Sequence, residues 1–210
     1  MKLNSRSFKP DGLIPGRCSF CVKSPRGHVR LADNRNPHLA WSGAPAGTRS
    51  YVITAIDADA PTRPDDVNRE GREVPLSLPR GEFVHWLMTD IPPQVTEVAE
   101  GSCAQGVVAR GKARPQGPEH ARQGVNDYTG WFAGDAAMAG TYLGYDGPCP
   151  PWNDARVHRY TFTVYAIDLG RLDLAEGFTL PQLRKALDGH VLASASISGR
   201  YSLNPRLRIK

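Results

Sequence analysis

Asp57, Asp59, His85, Cys149 and His158 have side chains that can hold, orient or attack a small charged group, and they fall in a few places along the 210-residue chain. Asp57 and Asp59 stand two apart in Asp57-Ala58-Asp59-Ala60-Pro61. In extended backbone, alternate residues share a face. Both carboxylates would then point the same way and could bind a cation, orient a histidine or share a proton. Asp and Pro also favour turns, so a plain turn is the competing reading. The second place is Gly144-Tyr145-Asp146-Gly147-Pro148-Cys149-Pro150-Pro151. Gly and Pro make such a loop stiff and let a ligand come close to the backbone. The N–H groups of Gly147 and Cys149 could cradle an oxyanion; a rigid structural crossover is the alternative. His158 follows this loop, and a Cys149 thiolate beside it would be a nucleophile. His85 lies in an apolar run, in phase with Phe83 and Leu87, a setting in which a histidine more often completes a core.

These residues need strands to place them. Tyr51–Ile56 is apolar and rich in β-branched residues and reads as a buried strand. Phe83–Ile91 is a second, closed by Pro92-Pro93. Arg159–Ile167 is a third, with Tyr160, Phe162, Val164 and Ala166 on one face and Thr161, Thr163 and Tyr165 on the other. Val191–Ile197 is a late strand ending at Gly199. One helix is signalled over 180–187. Thr179 and Gln182 form a capping box, Pro181 sits in the first turn, Leu180, Leu183 and Leu187 share a face, and Gly189 stops it. Long Gly/Pro-rich connections, 62–82 and 101–135 above all, separate the strands, and loops of that length are usually functional or mobile. The pattern predicts a mainly β sandwich with a peripheral helix.

Composition narrows the classes. Gly (21) and Pro (18) make 39 of 210 residues, which excludes a helical bundle or coiled coil. Hydrophobic residues are 40% and charged residues 22%, which excludes wholesale disorder. No run of about 18 apolar residues is present, so no transmembrane helix is expected. The formal net charge of +5 is unevenly spread. Residues 1–35 carry eight Lys/Arg against two acids, 184–210 six against one, and 57–100 four against ten. A nucleic-acid binder more often interleaves basic residues with aromatics, and no such stripe occurs, so nucleic acid is not an expected partner. The first residues hold no apolar signal region, which predicts a cytoplasmic protein with its four cysteines as free thiols. Cys18-x-x-Cys21 has only His28 nearby as a further ligand, so no zinc and no other metal or cofactor is expected.

The ordered set of motifs resembles the phosphatidylethanolamine-binding protein family, which includes the Raf kinase inhibitor proteins and their bacterial relatives. Asn36-Pro37-His38-Leu39-Ala40-Trp41 looks like the family's Ser-Pro-x-Leu-x-Trp, with Asn in place of Ser. Asp57-Ala58-Asp59-Ala60-Pro61 looks like its Asp-Pro-Asp-Ala-Pro, with Ala58 in place of the first proline. His85-Trp86 looks like its His-Trp pair. Gly144–Pro151 with His158-Arg159-Tyr160 looks like its Gly-x-Pro-Pro…His-Arg-Tyr signature, and 192–201 looks like its closing strand. The likeness runs from about Pro10 to Tyr201.

The resemblance implies one β-sandwich domain over 1–210, with a loop insertion at about 62–82 and a small pocket for phosphate-like groups at one edge. It implies that Asp57, Asp59, Phe83, His85, Trp86, Gly147, Pro148, Cys149, Pro150, Pro151, His158 and Tyr160 line or shape that pocket. A cis Ala60-Pro61 bond is expected at the pocket edge. The 62–82 insertion reads as a solvated loop or, more sharply, as a lid over the pocket or part of a dimer interface, and a homodimer or a protein partner is expected by likeness to bacterial relatives. The chain lacks the C-terminal helix that partly covers the pocket in mammalian members, which implies an open pocket. The leading functional expectation is a non-catalytic binding protein for phospholipid head groups or phosphate-like anions. The alternatives are a kinase or protease inhibitor acting through the pocket rim, and a weak hydrolase using Cys149 and His158. Anion affinity is expected to rise as pH falls through the histidine range, because a cationic histidine is the better donor.

Overall fold

A strand that is apolar without alternation needs cover on both faces, and Tyr51–Ile56 receives it. The computed structural model describes residues 1–209. Its strands are β1 (Lys2–Asn4), β2 (Cys21–Lys23), β3 (Val29–Leu31), β4 (Leu39–Ser42), β5 (Ser50–Pro61), β6 (Arg80–Ile91), β7 (Glu97–Val98), β8 (Arg122–Gln123), β9 (His158–Ile167) and β10 (Val191–Tyr201). Helix α1 (Tyr128–Trp131) follows β8, and α2 (Leu180–Leu187) lies between β9 and β10. The main sheet has the order β10-β9-β5-β6-β8, the smaller one β1-β4-β7, and β2 pairs with β3. The paired neighbours in these sheets are antiparallel.

One face of the main sheet carries Tyr51, Ile53, Ala55, Trp86, Met88, Phe162 and Val164 against Leu39 and Trp41 of β4 and Val98 of β7. Trp41 meets Tyr51 edge-on at 5.3 Å. The other face carries Val52, Val84, Leu87 and Ile167 beneath Leu180, Leu183 and Leu187 of α2. Burying each of these leucines contributes roughly 1.5–3 kcal/mol. The helix starts as its sequence predicts: the Thr179 N–H donates to Gln182 Oε1 at 2.8 Å. On β9 the two-face pattern also holds. Tyr160, Phe162, Val164 and Ala166 enter the inter-sheet core, while Thr161 and Thr163 meet Ser198 and Ser196 of β10 at 3.1 and 2.8 Å. β10 continues past Gly199, whose missing side chain admits Ile14: a Cβ there would lie 2.5 Å from the Ile14 Cγ1.

Of the three irregularities between β5 and β6, two lie beside the pocket. Ala55 pairs with Trp86 and Ile56 with Val84, so His85 is an extra residue on β6. Such a bulge re-aims side chains. His85 therefore keeps the side of Phe83 and Trp86, whereas Leu87 turns to the α2 face, and the expected His85–Leu87 phase is broken. The second irregularity lies between Asp57 and Ala60. It breaks the alternation that would have made Asp57 and Asp59 point together. β5 does continue through Pro61, so the segment is a bulged strand end rather than a free turn. The Ala60-Pro61 bond is trans, contrary to the expected cis form.

Candidate functional site

The bulged ends of β5 and β6, the start of β9 and the Gly/Pro-rich loop surround a cavity of about 760 Å³. Asp57, Phe83, His85, Cys149, Pro150, Pro151, His158 and Tyr160 line it. Asp59, Trp86, Gly147 and Pro148 do not reach it. Asp59 faces outward, accepting from Arg156 Nη1 and the Arg159 N–H, both at 2.9 Å. Trp86 is fully buried, stacks edge-on to Tyr145 and donates its indole N–H to Gln123 Oε1 at 2.8 Å.

Gly147 and Pro148 fasten the loop rather than open it. The Gly147 N–H is spent on Asn34 Oδ1 at 2.8 Å, so it offers nothing to an oxyanion. A Cβ on Gly147 would lie 2.2 Å from the Cys18 carbonyl oxygen, so the glycine makes room for protein backbone. The Pro148 carbonyl accepts from the Phe20 N–H at 2.9 Å. Beneath the loop, the buried Asp146 carboxylate takes Asn34 Nδ2, Asn126 Nδ2 and Lys112 Nζ at 2.7, 2.9 and 2.6 Å.

Cys149 is disulfide-bonded to Cys21, which overturns the free-thiol expectation and removes the Cys149 thiolate as a nucleophile. Cys18 and Cys103 remain free and buried, and burial pushes their thiols up to about 12 and about 11. Alkylation of the denatured but unreduced protein is therefore expected to label two thiols, and four after reduction; four labels without reductant would refute the bond.

His158 is a buried cation. Its Nδ1 donates to Asp57 Oδ2 at 2.7 Å and its Nε2 to Asp154 Oδ2 at 3.0 Å. Both acceptors are carboxylates, so both ring nitrogens carry protons. Burial alone would lower its pKa, but the Asp57 charge and the hydrogen bonds donated to both carboxylates raise it to about 9. Arg80 closes the network with two bonds to Asp154, at 2.5 and 3.0 Å. The other Asp57 oxygen takes the Asp59 N–H at 2.8 Å. With both nitrogens and both carboxylate oxygens committed, His158 and Asp57 form a charge-balanced floor.

His85 is the opposite case. Its Nδ1 lies 2.7 Å from the Asp146 carbonyl oxygen. A carbonyl only accepts, so Nδ1 carries the proton and the neutral ring offers Nε2 as an acceptor. Burial pushes the His85 pKa down, against the raising charge of Asp57. Its Nε2 has no protein partner among the described residues. Tyr160, 5.1 Å away ring to ring and 1% exposed, has a hydroxyl with no hydrogen-bond partner. Burial, then the Asp57 charge, raises its pKa well above the ordinary range, so it is a donor at every physiological pH.

Several lining residues escaped the sequence reading. Phe20, Asp127, Tyr128, Trp131 and Phe132 also line the cavity. They lie on β2's flank and in the long connection 101–135, where the only local cue is Asn126-Asp127-Tyr128 ahead of Gly130-Trp131. The 62–82 segment supplies Thr62, Arg63, Pro64, Val67 and Asn68 to the cavity. It is clamped from below: Asn153 Nδ2 donates to the carbonyls of Asp66, Arg69 and Arg72, and Asn153 Oδ1 takes the Asn68 N–H. Among the described residues no cluster of three or more His, Cys, Asp or Glu is arranged to hold a metal, and no helix is long and apolar enough to cross a membrane.

The sequence and the fold have known counterparts. YbhB of Escherichia coli is 31% identical over 96% of this chain and 100% of its own length. An Aquifex aeolicus relative is 30% identical over 96% of this chain and 88% of its own. Among solved structures, E. coli YbcL, described as a new member of the mammalian PEBP family, superposes with a TM-score of 0.68 at 26% identity over 96% of this chain and 97% of its own. The Chlamydia trachomatis protein CT736, described as a putative phosphatidylethanolamine-binding protein homolog, gives 0.64 at 29% identity over 96% of both chains. Residues 4–202, from the end of β1 to one residue past β10, match the family described as phosphatidylethanolamine-binding protein. A β-sandwich whose Asp57, His85, His158 and Gly/Pro-rich loop meet at one cavity, matched over that span, belongs to the phosphatidylethanolamine-binding protein family.

Proposed function

We propose that the chain is a single, non-catalytic binding domain whose pocket takes phosphate-like anions, free or as phospholipid head groups. One observation carries this reading: the Tyr160 hydroxyl is a buried polar atom without a hydrogen-bond partner, and it lines the same cavity as His85, whose Nδ1 is spent on the Asp146 carbonyl. A buried polar group without a partner is costly, so a ligand that bonds the Tyr160 hydroxyl gains what the protein lacks. Tyr160 donates to an anion oxygen directly. His85 donates only when its Nε2 is protonated. His158 adds positive charge beneath without contacting the ligand, and its charge offsets Asp57, which would otherwise repel an anion.

The hydrolase alternative loses its machinery. Cys149 is in a disulfide and His158 has no free nitrogen to act as a base. The compartment is tied to the same bond: a cytoplasmic chain would be held reduced at Cys21 and Cys149. The thiol count above, taken on protein from its own cells, decides between the two.

The test is calorimetric titration with sulfate, which keeps its charge between pH 5 and 8, alongside inorganic phosphate. Protonating His85 is required for its bond to the anion, and burial has moved that protonation below the ordinary value of about 6.5. Sulfate affinity should therefore be flat above neutrality and rise as pH drops below 6.5. His85→Ala should remove the rise and cost about tenfold at pH 5.5, the magnitude of one charge-assisted hydrogen bond. Affinity that is independent of pH, or a slope that survives in His85→Ala, sinks the assignment.

A further inference from the structure

Cys149, Pro150 and Pro151 line the cavity and are fastened to the chain by hydrogen bonds only at their two ends. On one side the Pro148 carbonyl takes the N–H groups of Phe20 and Cys21 at 2.9 and 3.3 Å. On the other the Trp152 N–H donates to Asn68 Oδ1 at 3.0 Å. Between these anchors the two prolines have no N–H to donate. The Pro151 carbonyl takes only the nearby Asp154 N–H, at 3.1 Å. Among the described residues, the one bond that ties 149–151 to a distant part of the chain is the disulfide from Cys149 to Cys21.

The far end of that bond also belongs to the cavity lining. Cys21 opens β2, and Phe20, Cys21 and Leu31 all line the cavity. The β2–β3 ribbon is a sheet of its own, joined to neither larger sheet. Its root is held by Tyr201, which donates to the Cys21 carbonyl at 2.8 Å. Its tip leans on the same loop: His28 stacks on Trp152 at 3.7 Å and bonds Glu70 at 2.6 Å. The disulfide thus joins two parts of one lining, and a thiol that enters the cavity meets it. Cys18 and Cys103 are buried and do not line the cavity.

We propose that the Cys21–Cys149 bond is a thiol-exchange site, opened in the folded protein by dithiol reductants that enter through the cavity, and that opening it releases 149–151 and weakens the anion site. The weakening rests on the anion reading; the exchange site and the release do not. Cys149 is half-buried and Cys21 is 5% exposed, so attack falls on the Cys149 sulfur. A thiolate of the reductant bonds to Cys149 Sγ, the protein S–S bond breaks, and Cys21 leaves as a thiolate that takes a proton from water. The second thiolate of the reductant then displaces Cys149, which is protonated in turn, and the reductant departs as its own cyclic disulfide. Two electrons pass from the dithiol to the protein. Tyr160 and His85 stay in place on β9 and β6, so the site is weakened and not abolished. A lining that has become mobile must be ordered again when an anion binds.

The experiment treats the folded protein with dithiothreitol, alkylates it with iodoacetamide and maps the label. Cys21 and Cys149 should be labelled while Cys18 and Cys103 are not. Hydrogen exchange over 21–31, a readout that needs no ligand, should quicken by about tenfold on reduction. Sulfate titrated in mildly acidic buffer should bind the reduced protein about fivefold more weakly than the oxidised protein, and reoxidation should restore the affinity. Cys21→Ser and Cys149→Ser should each bind sulfate as the reduced protein does and show no response to the reductant. Cys21→Ser leaves 149–151 unaltered, so it separates loss of the bond from a change in the loop itself. Label at Cys21 and Cys149 only after denaturant is added overturns the exchange site. Equal hydrogen-exchange rates, or equal sulfate affinities, in the oxidised and reduced proteins overturn the release. If sulfate binds neither form, the anion reading fails, and the labelling and hydrogen exchange still decide the other two parts.

Discussion

Unfolding free energy should fall by about 3 kcal/mol between pH 6 and pH 9.5, and most of that fall should vanish in His158→Gln. In the unfolded chain a histidine titrates near 6.5, whereas His158 in the fold titrates at about 9. A raised pKa means that the folded state holds its proton more tightly. The stabilisation is thus complete below pH 6.5 and is lost as pH rises through 9. A difference of 2.5 units at 1.36 kcal/mol each sets the size at about 3 kcal/mol. The cause is geometric. Burial disfavours the imidazolium, but Asp57 and Asp154 lie on its two nitrogens and outweigh it. Cys18 and Cys103, buried with raised pKa values, add a smaller loss in the same direction near pH 9. The difference between wild type and His158→Gln in denaturant titrations at both pH values is therefore the quantity that reads His158. At pH 7 the substitution should also cost about 3–5 kcal/mol, because two buried carboxylates lose their shared cation. Equal pH slopes in the two proteins would show that His158 is neutral in the fold.

Gly147→Ala should destabilise the protein by about 3 kcal/mol or more, while Gly130→Ala changes stability by less than about 0.5 kcal/mol. The two glycines differ in what surrounds them. A Cβ on Gly147 meets the Cys18 carbonyl oxygen at 2.2 Å and the Ser19 Cα at 2.9 Å, both backbone atoms. Around Gly130 nothing lies within 4 Å. The loop cannot back away from Cys18, because its neighbours hold it there. Asn34 Oδ1 takes the Gly147 N–H, Tyr128 donates to the Gly147 carbonyl at 2.7 Å, and Tyr145 donates to the Cys18 carbonyl at 2.5 Å. Relief of the clash breaks these bonds and moves Pro150 and Pro151, so anion binding should weaken together with stability. A denaturation midpoint equal to wild type would mean that the loop has freedom its bonds do not suggest.

The sequence by itself determined the strands, the helix and the cast of the pocket. Two-residue alternation in 159–167, apolar continuity in 51–56 and the Thr179–Gln182 box are local properties, set by which side chains fit a pleated or helical face. Asp57, His85, His158 and the Gly/Pro loop were legible too, as residues whose spacing resembles one family. What each does there was decided in three dimensions. Single inserted residues turn Asp59 outward and Leu87 away from His85, and a bulge leaves no mark in periodicity. Which cysteines pair depends on the approach of Cys21 to Cys149, 128 residues later in the chain, and spacing alone favoured no such bond. His158 and His85 are the same residue type, yet one is held as a cation by two carboxylates and the other is kept neutral by burial. Charge state depends on the partners that folding brings within about 3 Å, and sequence separation carries no information about them.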